Sequence, residues 1–533
     1  MVDLPARLGR LGPTIERIMA IGGTPGLSLG VFTKNNAPYY ANYGFRDVEK
    51  QLKVTEDTVF PVCSLTKALT AAALGLLVDE KKVTWDTLVK DALPDFKSRD
   101  DTLQNNATIT DILSHRTGMG WADNLIIGTD ANILISSKDM VKYVNDRPRQ
   151  LPFRGQFAYN NLHYEIAGRI IEAVSGQSYY DFVKARILDP LGMHRTFLKT
   201  PSANNDAVSL CYNALDDATA APITCPKLGD DWYGAPSGGL RSTASDLGKL
   251  YTSFISAFND QFHTGQTSTE GNPLKQVAHL LSAKIPLDQP SKLESSYALG
   301  WARVQLPGKL GQIGLNPGLL PQGMPLIGQG GASQLLIFHQ GSLPGALAFV
   351  GLLPESETAV VVLSNSLALN DAADWVGHLV LEELLGVPGH QRNDYPSLAE
   401  AAVKENLKWY PALTKELDEG RKGGAPPRPL EEYTGTYWDH LHVVKIDVTL
   451  EDGQLYWLIQ GLQSEKFPLA YYADNTFTWL LPRNELSRRG RWVGSDQEAT
   501  FWKANFELGD NGKISKLSWA HDGGVPPIEL TKV

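Results

Sequence analysis

Cysteine is scarce in this chain, with three residues in 533, at Cys63, Cys211 and Cys225. Three thiols exclude a disulfide framework, and their spacings match no Cys/His zinc site, so a reducing compartment is expected. Cys211 and Cys225 are close in sequence, which leaves one disulfide open beside the plainer reading of two free thiols. Long apolar runs are also missing. The nearest approach, Ala346 to Leu363, is interrupted by Pro354, Glu355 and Glu357, short of the roughly 20 residues that span a bilayer. The first residues carry Arg7, Arg10, Glu16 and Arg17 among scattered apolar ones, the pattern of an amphipathic helix rather than a secretory signal. These absences predict a soluble, cytoplasmic protein with no membrane partner. Positive charge is not in excess either: 49 Lys and Arg stand against 59 Asp and Glu, a net charge of −10 spread along the chain. No basic face is offered to a phosphate backbone, so no nucleic-acid partner is expected. No His-Glu-x-x-His or comparable cluster appears, and neither a metal nor a cofactor is predicted.

What is present is the composition of a packed protein, 42% hydrophobic, 9% aromatic and 20% charged. Its length exceeds one ordinary core and predicts at least two domains. Gly26 to Phe32 and Tyr39 to Gly44 read as two strands of a hairpin around a polar turn, and Ser64 to Glu80 as a helix apolar on almost every side. From about Thr84 to Leu198 the pattern is mainly helical. After a Gly/Pro-rich stretch, Pro307 to Gly331, strands return at Ser333–His339, Ala346–Leu353 and Thr358–Ser364, followed by a helix at Ala372–Leu385. Strands from both ends of roughly 390 residues would then share one sheet beside a helical lobe, an α+β architecture. Between Ser397 and Pro429 one polar helical stretch ends in Arg421-Lys-Gly-Gly-Ala-Pro-Pro-Arg-Pro429, which marks a linker, and the remainder, with short alternating runs, turn signals and six of the twelve Trp, reads as a small antiparallel barrel. The predicted boundaries are 1–395, 396–429 and 430–533.

Three segments carry chemistry. In Ser64-Leu-Thr-Lys67, a serine at a helix start and a lysine one turn later share a face, so the amine reaches the hydroxyl. A serine is a poor nucleophile until a base takes its proton, and a lysine in a dry pocket has a lowered pKa suited to that task. In Tyr159-Asn160-Asn161, ahead of another helix, Tyr159 is a second candidate base if Lys67 eases its ionisation, and Asn161 a candidate donor to a substrate carbonyl. Tyr40-Ala-Asn42 has the same spacing, so an ordinary loop tyrosine is the plain alternative. In His339-Gln-Gly341-Ser342, at a strand end, Gly341 lets a substrate approach the backbone closely; His-x-Gly recurs at His263 and His521. The rival Gly26-Leu-Ser28-Leu-Gly30 matches a nucleophile elbow in letters only, because a hairpin rather than a helix follows it.

Taken together and in this order, the three segments resemble the serine β-lactamase and penicillin-binding-protein superfamily, most closely the branch of class C β-lactamases, family VIII esterases, D-aminopeptidases and lovastatin-type acyltransferases. Asp57–Pro61, Ile112–Gly118, Pro236–Asp246 and Val360–Asn365 agree with it, so the resemblance covers about residues 10 to 390. The tail is similar to the lipocalin-like barrels of some members. The resemblance implies a β-lactamase-like fold in which Ser64 is the acylated nucleophile, Lys67 and Tyr159 share proton transfer, Asn161 positions substrate, and the N–H groups of Ser64 and Ser342 form an oxyanion hole. His339, expected at the substrate, stands where many relatives have lysine, and a neutral histidine is a weaker partner for a substrate carboxylate than a fixed ammonium, which favours ester, amide or thioester substrates over penicillins. Trp232 and Tyr233 are further candidates to line the pocket, Pro307–Gly331 a candidate lid, and aromatic residues of the tail either fill a barrel or reach over the site. The implied activity is a serine hydrolase. An acyltransferase or cyclase using the same acyl-enzyme, and a non-catalytic binding protein on the same scaffold, are the alternatives, and the oligomeric state is left open.

Overall fold

The computed structural model describes residues 3–34, 36–201, 207–229 and 233–533. Its centre is a nine-stranded antiparallel sheet. The strands are β1 (Gly26–Thr33), β2 (Tyr39–Asp47), β3 (Leu52–Lys53), β4 (Ile285–Pro286), β5 (Ser295–Tyr297), β6 (Ala302–Leu306), β7 (Gln334–Leu343), β8 (Ala346–Leu353) and β9 (Thr358–Ser364). Their order across the sheet is β3-β2-β1-β9-β8-β7-β6-β5-β4, so the first strands meet the last ones, as the α+β reading requires. Every residue of β8 and β9 is buried, which explains their unbroken apolar sequence: both faces of the sheet are covered.

Alternation then sorts the side chains between two cores. Val360 and Val362 of β9 join one core with the helices α1 (Gly12–Gly22) and α5 (Ala372–Leu384). Val361 and Leu363 join the other, with α2 (Thr66–Asp79), α3 (Asn161–Ser175), α4 (Ala244–Thr264) and the helical lobe. Helix α2 is buried around nearly its whole circumference, as its Ala- and Leu-rich sequence predicts. The side chain of Asn160 caps α3 by accepting from Leu162 N, and Gly176, at φ 73°, ends it.

Two segments differ from the sequence reading. The 396–429 stretch, expected as one polar helical stretch running into a linker, holds two helices, most of α6 (Tyr395–Asn406) and all of α7 (Trp409–Gly420). Ala399 and Ala402 are fully buried in the core against α1, so α6 is part of the first domain's packing. Pro307–Gly331, expected as an irregular lid, is anchored. Gly308–Lys309 pairs with Leu326–Ile327, and buried Asn316 donates to Asp371 O and Asp374 Oδ2. Among the described residues no helix is long and apolar enough to cross a membrane.

Residues 435–532 form a closed eight-stranded barrel of sequential antiparallel strands. Trp457, Trp479, Trp502 and Trp519 are fully buried with Phe467 and Phe501, and the indole N–H groups of Trp479 and Trp519 both donate to Phe501 O, at 3.0 and 2.8 Å. Ring centroids around Trp479 lie 4.6 to 5.7 Å apart, so this residue is the hub of the cluster. Replacing Trp479 by Ala should cost about 3–5 kcal/mol through the cavity it leaves. The barrel would then melt in an earlier thermal transition by tryptophan fluorescence; an unchanged transition would show that the cluster is not what holds the barrel together.

Candidate active site

Ser64 lies in a short 3-10 turn, Cys63–Leu65, that leads into α2. Cys63, immediately before the serine, has φ 51°, a left-handed conformation uncommon for a residue with a side chain. The turn is tied down on its upstream side, where Phe60–Pro61 pairs with Arg241–Ser242 and Val62 N donates to Leu240 O at 3.0 Å. The thiol of Cys63 is fully buried, and burial raises its pKa well above the usual range, so it stays protonated and unreactive.

The free edge of β7 meets this turn. β6 pairs with β7 as far as Phe338, so among the described residues His339 to Leu343 have β8 on one side and no strand on the other. At Gly341 the edge packs so closely that a Cβ atom would lie 2.9 Å from Cys63 Cβ, 3.0 Å from Val62 O and 3.1 Å from Ser64 N. The glycine therefore admits the backbone of the nucleophile turn, rather than a substrate as the sequence suggested. The same contact sets Ser342, partly exposed, on the cavity wall beside Ser64.

Lys67 has no exposed surface. Its Nζ lies 3.1 Å from Ser64 Oγ and donates to Asn161 Oδ1 and to Ser237 O, both at 2.7 Å. Burial lowers its pKa to about 7, with Asp123 offsetting part of the effect. Tyr159 OH donates to Ser64 Oγ at 2.8 Å. Burial raises the phenol above its ordinary pKa, so it remains a neutral donor; the expectation that Lys67 would ease its ionisation is not met. Asn161 spans the site, since its Nδ2 also donates to Asp123 Oδ2 at 2.9 Å. The Asn161 carbonyl oxygen is thus turned toward Lys67, and one N–H is taken by the protein.

Tyr159 is held from behind. His115 Nδ1 accepts from Asn160 N at 3.1 Å, and Asn160 Nδ2 donates to Met119 O at 3.0 Å. His339 belongs to the same buried layer. Its ring is 1% exposed, its Nε2 is 2.9 Å from Tyr297 OH, and burial together with the nearby Lys67 lowers its pKa to about 3. It does not line the cavity, so the expected contact between His339 and a substrate is corrected: the neutral imidazole packs against Tyr159 and Tyr297.

The cavity at Ser64 has a volume of about 510 Å³. Tyr159, Asn161, Tyr233 and Ser342 line it, while Trp232 lies outside the described residues. Ser28 is remote from it, buried in β1 and donating to Asn42. Several lining groups were not named singly in the sequence reading, although the Pro307–Gly331 segment and tail aromatics over the site were among its alternatives. Asp123, whose pKa burial and Asp522 push up to about 6, shows no motif of its own. Ile313 and Leu315 come from the anchored Pro307–Gly331 segment. Trp492, Asp496, Glu498 and Asp522 come from the barrel domain. That domain is clamped on the helical lobe by Glu465, which accepts from Thr129 N and Asn132 Nδ2 at 2.6 and 2.8 Å, and by Asp522, which accepts from Asn124 N at 3.2 Å. Cys211 and Cys225 are both free.

Residues 419–531 match the domain of unknown function DUF3471. The unguisins hydrolase of Aspergillus campestris is 27% identical over 435 residues, covering 78% of this chain and 72% of that protein. Protein flp of Staphylococcus aureus is 24% identical over 363 residues, covering 66% of this chain and 61% of that protein. Among solved structures, an octameric penicillin-binding protein homologue from Pyrococcus abyssi superposes with a TM-score of 0.56 at 22% identity, over 98% of this chain and 99% of that one. A class C beta-lactamase superposes with a TM-score of 0.55 at 20% identity, over 72% of this chain and 97% of that one. Both share the fold. Residues 13–382 match the Beta-lactamase family model, and with more than half of its length so matched the chain belongs to the Beta-lactamase family.

Proposed function

We propose that this protein hydrolyses an ester or amide bond through an acyl-enzyme on Ser64. The observation that carries the reading is the convergence on one hydroxyl of a buried lysine at 3.1 Å and a neutral phenol at 2.8 Å, at the wall of a cavity. The family supports a serine hydrolase in general terms. The names of relatives such as the unguisins hydrolase point the same way.

In the proposed reaction the free amine of Lys67 takes the Ser64 proton as Oγ attacks the substrate carbonyl. The oxyanion that develops is met by the N–H groups of Ser64 and Ser342, the two backbones that Gly341 allows to approach. The Tyr159 hydroxyl gives its proton to the departing alcohol or amine, and the resulting phenolate is reprotonated by the Lys67 ammonium, which faces the same Ser64 Oγ from the other side. Water then attacks the ester on Ser64, its proton returns through the same pair, and the acid leaves. Asn161 and Ser237 O hold Lys67 throughout, and Asp123 holds Asn161. His339 supports Tyr159 by packing and takes no proton, since it is neutral at every pH near 7.

Intact mass after brief exposure to p-nitrophenyl butyrate should show a transient acyl adduct on the wild type and none on Ser64→Ala, with nitrophenolate release lost in step. A Ser64→Ala protein that still turned over would overturn the assignment. Because the free amine is the reactive form and Lys67 titrates near 7, kcat/KM should rise about tenfold per pH unit below that value and level off above it. A flat profile from about pH 5 to pH 9 would remove Lys67 as the base. Gly341→Ala should lower kcat by about 10² or more, because the methyl group forces β7 away from the Ser64 turn; activity within about twofold of wild type would show that the close approach is dispensable.

A further inference from the structure

All three cysteines of the chain gather behind the nucleophile. The Arg241 guanidinium favours the thiolate form of Cys63, Cys211 and Cys225 alike, although they are far apart in the sequence. Cys211 opens a short strand, Cys211–Ala214, and stands opposite Ile223 in its partner strand, Ala220–Ile223. Cys225 follows two residues later, the spacing that returns a side chain to the same side of an extended chain. The two thiols meet, and Cys211 donates a hydrogen bond to the Cys225 sulfur. Cys211 is buried, while Cys225 is partly exposed. This pair touches both backbones that approach each other at Gly341. The Arg241 guanidinium donates to Cys225 Sγ at 3.9 Å and to Leu198 O at 3.0 Å, and the backbone of the same residue pairs with Pro61, three residues before Ser64. On the other side, Cys211 packs against the turn between β7 and β8. A Cβ atom at Gly345 would lie 2.4 Å from Cys211 Cβ and 3.2 Å from its Sγ, and Gly345 N donates to Asn213 Oδ1 at 3.0 Å.

The two thiols are chemically unequal. Hydrogen bonding from Cys211 lowers the Cys225 thiol below its ordinary pKa, burial works against this, and Arg241 lowers it further. The same hydrogen bond, with burial, raises Cys211 well above the usual range. A partly exposed thiol that ionises readily, with a second thiol in contact to resolve it, is an arrangement that exchanges with disulfides. We propose that Cys211 and Cys225 form a reversible oxidation site for small-molecule disulfides of the glutathione class, and that closing their bond slows acylation of Ser64 by shifting the strand that Arg241 holds. In the first step the Cys225 thiolate attacks one sulfur of the disulfide, forms a mixed disulfide and releases one thiolate. The Cys211 sulfur then loses its proton and attacks Cys225 Sγ, which forms the internal bond and expels the second thiolate. Two protein thiols are thereby oxidised, one external disulfide is reduced to two thiols, and the two protons end on those thiols. The bonded Cys225 sulfur carries no charge, so Arg241 loses the anion beside it while its backbone still holds Pro61. The effect on acylation rests on the hydrolase reading of Ser64; the oxidation itself does not.

The full chain, reduced and then incubated with oxidised glutathione, should lose two hydrogens in intact mass and keep a single thiol, Cys63, that a maleimide labels after denaturation. Peptide mapping should join Cys211 to Cys225. Cys211→Ser should stop at the mixed disulfide with glutathione on Cys225, and Cys225→Ser should form neither product; Cys225→Ala replaces it should that variant fail to fold. In the wild type, oxidation should slow nitrophenolate release from p-nitrophenyl butyrate by about tenfold or more, through displacement of the Ser64 turn, and dithiothreitol should restore it. Cys225→Ser, active when reduced, should not respond. Hydrogen exchange of the amides from Val62 to Leu65 should change on oxidation in the wild type and not in Cys225→Ser, a readout that needs no turnover. Three labelled thiols after oxidation, or glutathione on Cys63, would overturn the site. A bond that leaves rate and exchange unchanged would overturn its action on Ser64. A wild type that fails to turn over the ester, yet forms the bond and changes its exchange at Val62 to Leu65, would instead remove the hydrolase reading and keep the coupling between the thiols and the turn.

Discussion

Lys67 is the residue around which the catalytic domain is arranged. Taking an ammonium out of water costs several kcal/mol unless hydrogen-bond acceptors replace the solvent, and here the cost is met in two ways. The pKa falls to about 7, so the group can shed its charge, and two protein oxygens lie within 2.7 Å of Nζ. These oxygens belong to residues 94 and 170 positions away along the chain. Helix α2, the turn that opens α3 and the turn near Ser237 must therefore converge before the amine has anywhere to be. The proposed chemistry exploits the same condition, because an amine buried among acceptors and free of water can take a proton at neutral pH.

The sheet supplies the second constraint. Its central strands β8 and β9 are buried on both faces, and the stretch of β7 beyond its pairing with β6 meets the site with a free backbone edge. A side chain at position 341 would hold that edge away from Ser64. One missing methyl group thus determines whether the two backbones approach closely. Behind them, His115, His163 and His339 are all buried and neutral, so the layer that supports Tyr159 brings no positive charge that would compete with Lys67.

The barrel domain folds around its own tryptophan cluster and contributes to the site from outside. Arg491, 1% exposed, lies 5.1 Å from the Trp479 ring centroid and donates to Asn124 O at 3.2 Å, which joins the barrel's interior to the helix that carries Asp123. A carboxylate-lined cavity results where the two domains meet, and its charge comes from both of them.

Much of this was legible in the residues. The helix that carries Ser64 and Lys67, the hairpin at the N-terminus, the three late strands and the all-β tail follow from local periodicity, because burial on one or both faces leaves a repeating trace. The Ser64–Lys67 contact is equally local, one helical turn. Other features were not legible, since their causes are distant in the chain. Tyr159-Asn160-Asn161 and Tyr40-Ala-Asn42 have the same spacing of tyrosine and asparagine, yet only the first is brought to Ser64, while Asn42 binds Ser28 and Glu56 in the sheet. His339 sits one strand position too far into the packed layer to reach the cavity, a matter of side-chain direction that its motif does not encode. Asp123 and the carboxylates of the barrel gain their meaning only where two domains close on each other. The sequence by itself determined the elements and the nucleophile with its neighbouring lysine, because those depend on residues within a turn of one another. Which tyrosine joins them, why residue 341 is glycine and what walls the cavity were decided by the tertiary structure, which alone brings together groups hundreds of residues apart.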